Sequence, residues 1–274
     1  MFEKRLRLNE DTSIPVLGFG TWQVKNGAET YQAVKEALQV GYRHIDTAQG
    51  YQNEESVGKA IKDSKIPREE IFVTTKLESH IKTYQGAHQA FDQSLKDLDM
   101  DYVDLFIIHA PWPWSDMGSD HQKGNIEAWK AMEEIYQSGR AKAIGVSNFS
   151  PDDIQNLLDH TKVKPQANQI SLFVGNNQKE TMDYCEKHQI QIIAYSPLAI
   201  GYALNDPFIV NMASKYKVTP SQLLIRYTID KGAATLPKTT HKERMIENAQ
   251  VNFQISIEDF KALDAYENDP RRWE

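Results

Sequence analysis

The chain has 274 residues, 25% charged and 40% hydrophobic, with a net charge of −7. That supplies enough apolar material for one large domain, and the acidic balance argues against a general nucleic-acid binder and offers no basic block for a membrane surface. A single cysteine, Cys185, excludes an internal disulfide framework, and no apolar run of about 18 residues is present to span a bilayer, so the expectation is a cytoplasmic protein.

Residues 4–16 alternate, turn at Asn9-Glu10-Asp11 and alternate again, which predicts a β-hairpin ahead of everything else. A strand-then-helix unit then recurs. Val16–Gly20 precedes helical spacing through Ala28, Tyr31, Val34 and Leu38. Tyr42–Asp46 precedes a helix from Asn53, and Ile71–Lys76 precedes the pattern Ala90, Leu95, Leu98. Val103–His109 precedes Ile126, Trp129, Ile135 and Tyr136. Ala141–Ser147 precedes Pro151–Leu158, where Ser150, Pro151 and Asp153 form an N-terminal cap signature. Pro165–Ile170 precedes Lys179–His188. Ile190–Ser196 precedes Thr219–Asp230, opened by a second capping box, and Ala233–Pro237 precedes Lys242–Asn248. A last helix, Ser256–Tyr266, leads into a short tail.

The strand runs are continuously apolar rather than alternating, as parallel strands covered on both faces require. Eight such units in succession predict an α/β fold of the (β/α)₈ TIM-barrel type, a single domain over residues 1–274 with an N-terminal hairpin and a C-terminal helix and tail. The rival is an open doubly wound sheet. Its dinucleotide fingerprint is missing, because Gly18-Phe19-Gly20 runs on into Thr21, Trp22 and Gln23 with no third glycine.

In a barrel, polar residues at the carboxyl ends of the strands converge on one rim. Asp46 ends the second strand, Tyr51 follows in its loop, Lys76 ends the third and His109 the fourth. Alone, each has a bland reading: a snorkelling lysine, a satisfied histidine, a packing tyrosine. Together they change the odds. Asp46 can pair with Lys76 and keep it charged despite burial, and that ammonium is expected to lower the Tyr51 phenol toward a range where it exchanges protons. Tyr51 then reads as a general acid toward a carbonyl oxygen, with His109 orienting that oxygen. No nucleophile–base pair and no metal-ligand spacing accompanies them. A proton donor without a nucleophile needs a source of hydride. Lys238 and Arg244, at a helix start after the eighth strand, read as the anion site for such a source.

The chain resembles the aldo-keto reductases, and the resemblance covers essentially its whole length. GYRHIDTA at 41–48, with Tyr51, Glu54 and Val57-Gly58, is similar to one family signature. GVSNF at 145–149, Asn168-Gln169, AYSPL at 194–198 and LPKTTHKERMIEN at 236–248 are similar to its cofactor cleft. The resemblance implies NADPH as cofactor and a small carbonyl compound as partner, in a protein expected to act as a monomer. It implies Tyr51 as acid, supported by Asp46, Lys76 and His109. Ser147, Asn148 and Gln169 would hold the carboxamide, Tyr195 would stack on the nicotinamide, and Thr21 and Trp22 would stand beside the cofactor. Ser196 and Leu198 would line the pyrophosphate path. Lys238, Thr239 and Arg244 would take the 2′-phosphate, and Glu247 and Asn248 the adenine. The substrate pocket would comprise Trp22, Tyr51, His109 and Trp112. Length and tail look most like prokaryotic reductases of glyoxals, keto aldehydes and diketo sugar acids.

The sequence departs from the family where a tryptophan usually follows the histidine, since His109 is followed by Ala110-Pro111-Trp112-Pro113-Trp114, and Thr239 stands where serine is common. An NADPH-binding regulatory or sensor protein with little turnover is the alternative function, and the complete tetrad argues for an enzyme. The tail, with Arg271, Arg272 and Trp273, has two readings: folded over the rim, where an arginine would favour substrates bearing a carboxylate, or a disordered terminus whose arginines pair with acidic surface groups.

Overall fold

The structure, a computed structural model, describes residues 1–267. The tail at 268–274 and the role expected of its arginines lie outside the described residues. Strands β1 (Arg5–Arg7) and β2 (Ser13–Pro15) pair antiparallel, Leu6 opposite Ile14. Their turn is fixed by Asn9, whose Oδ1 accepts hydrogen bonds from the backbone N–H of Asp11 and Thr12. This is the expected hairpin, and it plugs one end of a barrel: Leu8 and Ile14 pack with Phe72, Leu105, Ile107, Ala143 and Ile193.

The barrel strands are β3 (Phe19–Gly20), β4 (His44–Asp46), β5 (Phe72–Leu77), β6 (Leu105–Ile108), β7 (Ile144–Ser147), β8 (Ala167–Ser171), β9 (Gln191–Tyr195) and β10 (Ala234–Leu236). They are parallel and hydrogen-bonded in sequence order. Closure comes from the chain just before β3, where Gly18 N–H donates to Thr235 O at 2.9 Å and Thr235 N–H donates to Val16 O at 2.8 Å. The result is the expected (β/α)₈ barrel.

Helices α1 (Ala28–Val40), α2 (Glu54–Ser64), α3 (Tyr84–Leu98), α4 (Gln122–Gln137), α5 (Pro151–His160) and α6 (Lys179–Lys187) follow β3 to β8 in turn. After β9 come α7 (Pro207–Lys215) and α8 (Pro220–Asp230); α9 (Lys242–Ala249) follows β10, and α10 (Ile257–Asp264) ends the described chain. Their apolar faces cover the strands through a second core layer that includes Phe91, Phe106 and the fully buried Trp129, whose indole N–H donates to Val163 O at 2.8 Å. Burial of this kind is the main stabilising term. Both capping boxes form as expected, Ser150 with Asp153 on α5 and Thr219 with Gln222 on α8.

One stretch was not anticipated. Between β9 and α8 the chain forms a kinked 3₁₀ segment, Ala199–Asn205, and then α7, started by Asp206 accepting from Phe208 and Ile209 N–H and by Pro207. These elements build a third apolar cluster around Leu223, Leu224, Tyr227 and Leu263.

Candidate active site

Each residue of the predicted tetrad is placed by a strand end or the loop beyond it. Asp46 is the last residue of β4 and stands opposite Thr74 on the neighbouring parallel strand, and Lys76, two residues further along β5, projects from the same face as Thr74. Tyr51 ends a single 3₁₀ turn, Gln49–Tyr51, closed by Gln52 in the left-handed region at φ 56°. His109 follows β6, its N–H bonded to Leu77 O at 3.1 Å.

Lys76 is fully buried and at the centre of the arrangement. Its ammonium donates to Asp46 Oδ1 at 2.5 Å, to Thr47 O at 2.8 Å and to the Tyr51 phenol oxygen at 3.2 Å. All three donors are used, which is what a buried ammonium requires. Burial works against the charge, but Asp46 and Tyr51 outweigh it and hold the ammonium above its ordinary pKa. Asp46 is satisfied from the other side as well, because Gln169 Nε2 donates to its Oδ2 at 2.8 Å. The Tyr51 ring stands edge-on to His109, centroids 5.5 Å apart.

The Tyr51 phenol differs from expectation. Burial raises its pKa, the Lys76 charge and hydrogen bond pull it down, Asp46 pushes it up, and the net direction is upward. The expected net lowering is therefore replaced by a phenol held protonated, with Lys76 limiting the rise. Because the ammonium donates into the phenol oxygen, the phenol's own hydrogen is left for the cleft. Burial, and secondarily Lys76, pushes the His109 imidazole down to about 3, so it is neutral at ordinary pH.

These groups open onto a cleft of about 1120 Å³ that runs along the carboxyl ends of the strands. Of the residues expected at the cofactor, Trp22, Ser147, Asn148, Gln169, Tyr195, Ser196, Leu198, Lys238 and Arg244 all line it. Asn148, left-handed at φ 61°, ties three strand ends together: its Nδ2 donates to His109 O at 3.2 Å and Ser147 Oγ at 3.0 Å, and its Oδ1 accepts from Tyr195 O–H at 2.8 Å. Ser147 O–H donates to Gln169 O at 2.9 Å. Lys238 and Arg244 are exposed and form no ion pair among the described residues, so two cations face one end of the cleft uncompensated.

Other expected residues do not reach the cleft. Thr21 is buried, with its N–H and hydroxyl both bonded to Asp46 O at 3.0 Å, so it supports β4. Thr239 is buried and its hydroxyl accepts from His241 N–H. Glu247 Oε1 accepts from the Thr219 hydroxyl at 2.8 Å and so fastens α9 to α8, while Asn248 is buried. Trp112 also stands outside. The tryptophan lining the cleft is Trp114, edge-on to His109 at 5.6 Å, and Trp112 backs it at 5.0 Å. Sequence reasoning also passed over Glu78, Ser79 and His80, which line the cleft just beyond β5. A signal existed: residues two apart on a strand share a face, so Lys76 inside the rim places Glu78 above it.

The aldo/keto reductase family profile matches residues 16–268. The chain belongs to the aldo/keto reductase family. Among relatives, it is 39% identical over 267 residues to the glyoxal reductase of Bacillus subtilis, covering 97% of this chain and 94% of that protein. It is 41% identical over 283 residues to the glycerol 2-dehydrogenase (NADP(+)) of Saccharomyces cerevisiae, covering 95% and 89%. The crystal structure of an aldo/keto reductase from Brucella melitensis superposes with a TM-score of 0.88 at 40% identity, covering 95% of this chain and 98% of that one. This aldo/keto reductase is thus a (β/α)₈-barrel member of an oxidoreductase family. Among the described residues, no group of ligating side chains is arranged to hold a metal ion and no helix is long and apolar enough to cross a membrane.

Proposed function

We infer that this protein reduces small aldehydes and ketones, including 2-keto aldehydes and keto sugars, to alcohols with NADPH. The observation that carries the reading is the Lys76 ammonium, bonded at once to Asp46 at 2.5 Å and to the Tyr51 phenol oxygen at 3.2 Å beside the cleft. Bound NADPH would supply hydride to the carbonyl carbon. As charge develops on the carbonyl oxygen, Tyr51 gives it the phenol proton, and Lys76 stabilises the phenolate left behind. Neutral His109 donates a hydrogen bond to the same oxygen and orients it. The phenolate recovers its proton from solvent after the alcohol leaves.

The residues present fit the cofactor. The uncompensated Lys238 and Arg244 suit the extra phosphate that distinguishes NADPH from NADH. Tyr195 lines the cleft, and Gln169 keeps its Oε1 free of hydrogen bonds among the described residues, an acceptor for a carboxamide. The names of the Bacillus and Saccharomyces relatives support the carbonyl chemistry and the choice of NADP. The reading is tested by following NADPH absorbance with glyoxal, methylglyoxal and glyceraldehyde. Saturable cofactor oxidation dependent on the aldehyde is expected, and its absence with all three would leave a cofactor-binding protein without this activity.

A further inference from the structure

The substrate end of the cleft carries a charge that the reaction does not use. Around Tyr51 and His109 the lining includes Trp22, Gly50, Glu78, Ser79, His80 and Trp114. The charge of Asp46 is balanced by Lys76 at 2.5 Å. His109 is neutral, and Lys238 and Arg244 are assigned to the cofactor's extra phosphate. Among the described residues lining this end, Glu78 is the one carboxylate without a cationic lysine or arginine partner.

Its position is well defined. A Cβ at Gly50, the residue before Tyr51, would lie 3.8 Å from Glu78 Oε1 and 4.0 Å from His109 Nδ1, so carboxylate and imidazole flank the same glycine. Glu78 Oε2 lies 3.0 Å from His80 Nδ1, while Oε1 has no hydrogen bond among the described residues. The loop presenting it is anchored. Ile81 N–H donates to Glu78 O at 3.0 Å, Trp114 N–H donates to Ser79 Oγ at 3.2 Å, and Lys82 Nζ donates to Ala110 O at 2.8 Å and Asn125 Oδ1 at 2.7 Å. Two aromatic faces, Trp22 at 43% and Trp114 at 47% exposure, line the same end.

We propose that Glu78 sets the substrate class, selecting uncharged hydroxyl-bearing carbonyl compounds such as hydroxyaldehydes and neutral keto sugars, and rejecting those that carry a carboxylate. The proposal rests on the reductase reading. A free carboxylate oxygen accepts strongly from substrate hydroxyls, and aromatic faces suit the C–H surface of a sugar chain. A substrate carboxylate about 7 Å from Glu78 would meet a repulsion worth roughly threefold to fiftyfold for effective dielectrics of about 80 to 20. With the Glu78 side chain 32% exposed, about tenfold is expected. This runs opposite to the preference expected from Arg271 and Arg272, and the full chain decides between them.

The experiment measures kcat/KM of the full-length protein and of Glu78→Gln for benzaldehyde and 4-carboxybenzaldehyde, at low and high salt. Wild type should prefer benzaldehyde. The variant should shift the ratio toward the carboxylate about tenfold, with the shift shrinking as salt rises. Glu78→Leu should lower glyceraldehyde relative to propanal about tenfold, the loss of a hydrogen bond to a charged group. A wild type that prefers the carboxylate, or ratios unmoved by the variants, overturns the proposal. Failure of the reductase reading is a different result, with both aldehydes inert. Binding of benzoate and benzamide, read by quenching of tryptophan fluorescence, then reports the same selection without turnover. Glu78→Gln should tighten benzoate about tenfold relative to benzamide, and an unchanged ratio overturns the proposal there too.

Discussion

Gln169 Nε2 donates to Asp46 Oδ2 at 2.8 Å, linking the middle of β8 to the carboxyl end of β4 across the barrel. Asp46 is thereby held on both oxygens, by Gln169 on one and Lys76 on the other. The ion pair is part of the floor of the cleft rather than a freestanding bridge. This sets the order of damage when the pair is broken. In Asp46→Asn, the ammonium keeps Thr47 O and the Tyr51 oxygen as acceptors. In Lys76→Met, no charge remains to stabilise a Tyr51 phenolate. Lys76→Met should lower kcat by at least about a hundredfold, and Asp46→Asn should retain roughly tenfold more activity than that. Steady-state kinetics on folded samples, verified by circular dichroism, checks it. A worse defect in Asp46→Asn would reverse the assigned roles.

Much of this was legible in the sequence because strand ends and parallel order leave little freedom. Once Asp46, Lys76 and His109 were put at the ends of successive parallel strands, their convergence followed from the barrel. What escaped did so for local reasons. Trp112 and Trp114 lie on either side of Pro113, and no periodicity says which of the two turns inward. Glu247 and Thr239 are polar and near the expected cofactor end, but their side chains are bonded within the chain, to Thr219 and His241. α7 lies outside the strand-then-helix count because it is a second helix after β9: its Asp206-Pro207 cap and its apolar face, Phe208, Ile209, Met212 and Ala213, are present in the sequence, but it is only 9 residues long. The balance at Tyr51 was misjudged because burial, which the sequence does not display, outweighs the neighbouring ammonium.

Glu54 supplies a pH-dependent prediction. It is buried at the start of α2, where Thr75 O–H donates to its Oε1 at 2.5 Å and Ser94 O–H to its Oε2 at 3.2 Å. Burial pushes its carboxyl up to about 7 despite those hydrogen bonds. A pKa raised on folding means the contribution to stability is most favourable below the unfolded value and is lost as pH rises through the folded one. The loss should accumulate between about pH 4.5 and 7 and amount to roughly 3 kcal/mol. Glu54→Gln should therefore raise Tm relative to wild type at pH 8 and change it much less at pH 5. A shift of equal size at both values would show that ionisation of Glu54 is not involved.

Gly58 tests the packing of α2 on α3. A Cβ there would lie 2.1 Å from the backbone oxygen of Leu98, which no side-chain rotation can relieve. Alanine in place of a helical glycine ordinarily stabilises by about 0.5–1 kcal/mol, whereas overpacking of this kind costs about 1–3 kcal/mol or more. The clash should win, and Gly58→Ala should melt several degrees below wild type. An increase in Tm would mean that the two helices separate without cost.

Arg244 bears on cofactor choice. If Arg244 and Lys238 hold the extra phosphate, losing one charge-assisted contact should cost about 1.5–3 kcal/mol, or one to two decades of affinity. Arg244→Ala should weaken NADPH by that amount and NADH barely at all, as read by fluorescence titration of the two cofactors. Equal losses for both would mark a structural arginine.

The most direct measurement is single-turnover reduction by Tyr51→Phe. The substitution removes only the hydroxyl, whose oxygen accepts from Lys76 at 3.2 Å, and leaves the ring beside His109. Because that hydroxyl acts as charge develops on the carbonyl oxygen, its loss falls on the transition state rather than on binding. The expected result is NADPH affinity within about twofold of wild type and a hydride-transfer rate lowered by ~10²–10⁴-fold. A variant that keeps more than half of the wild-type rate, with hydride transfer shown to be the step observed, would contradict Tyr51 as the acid.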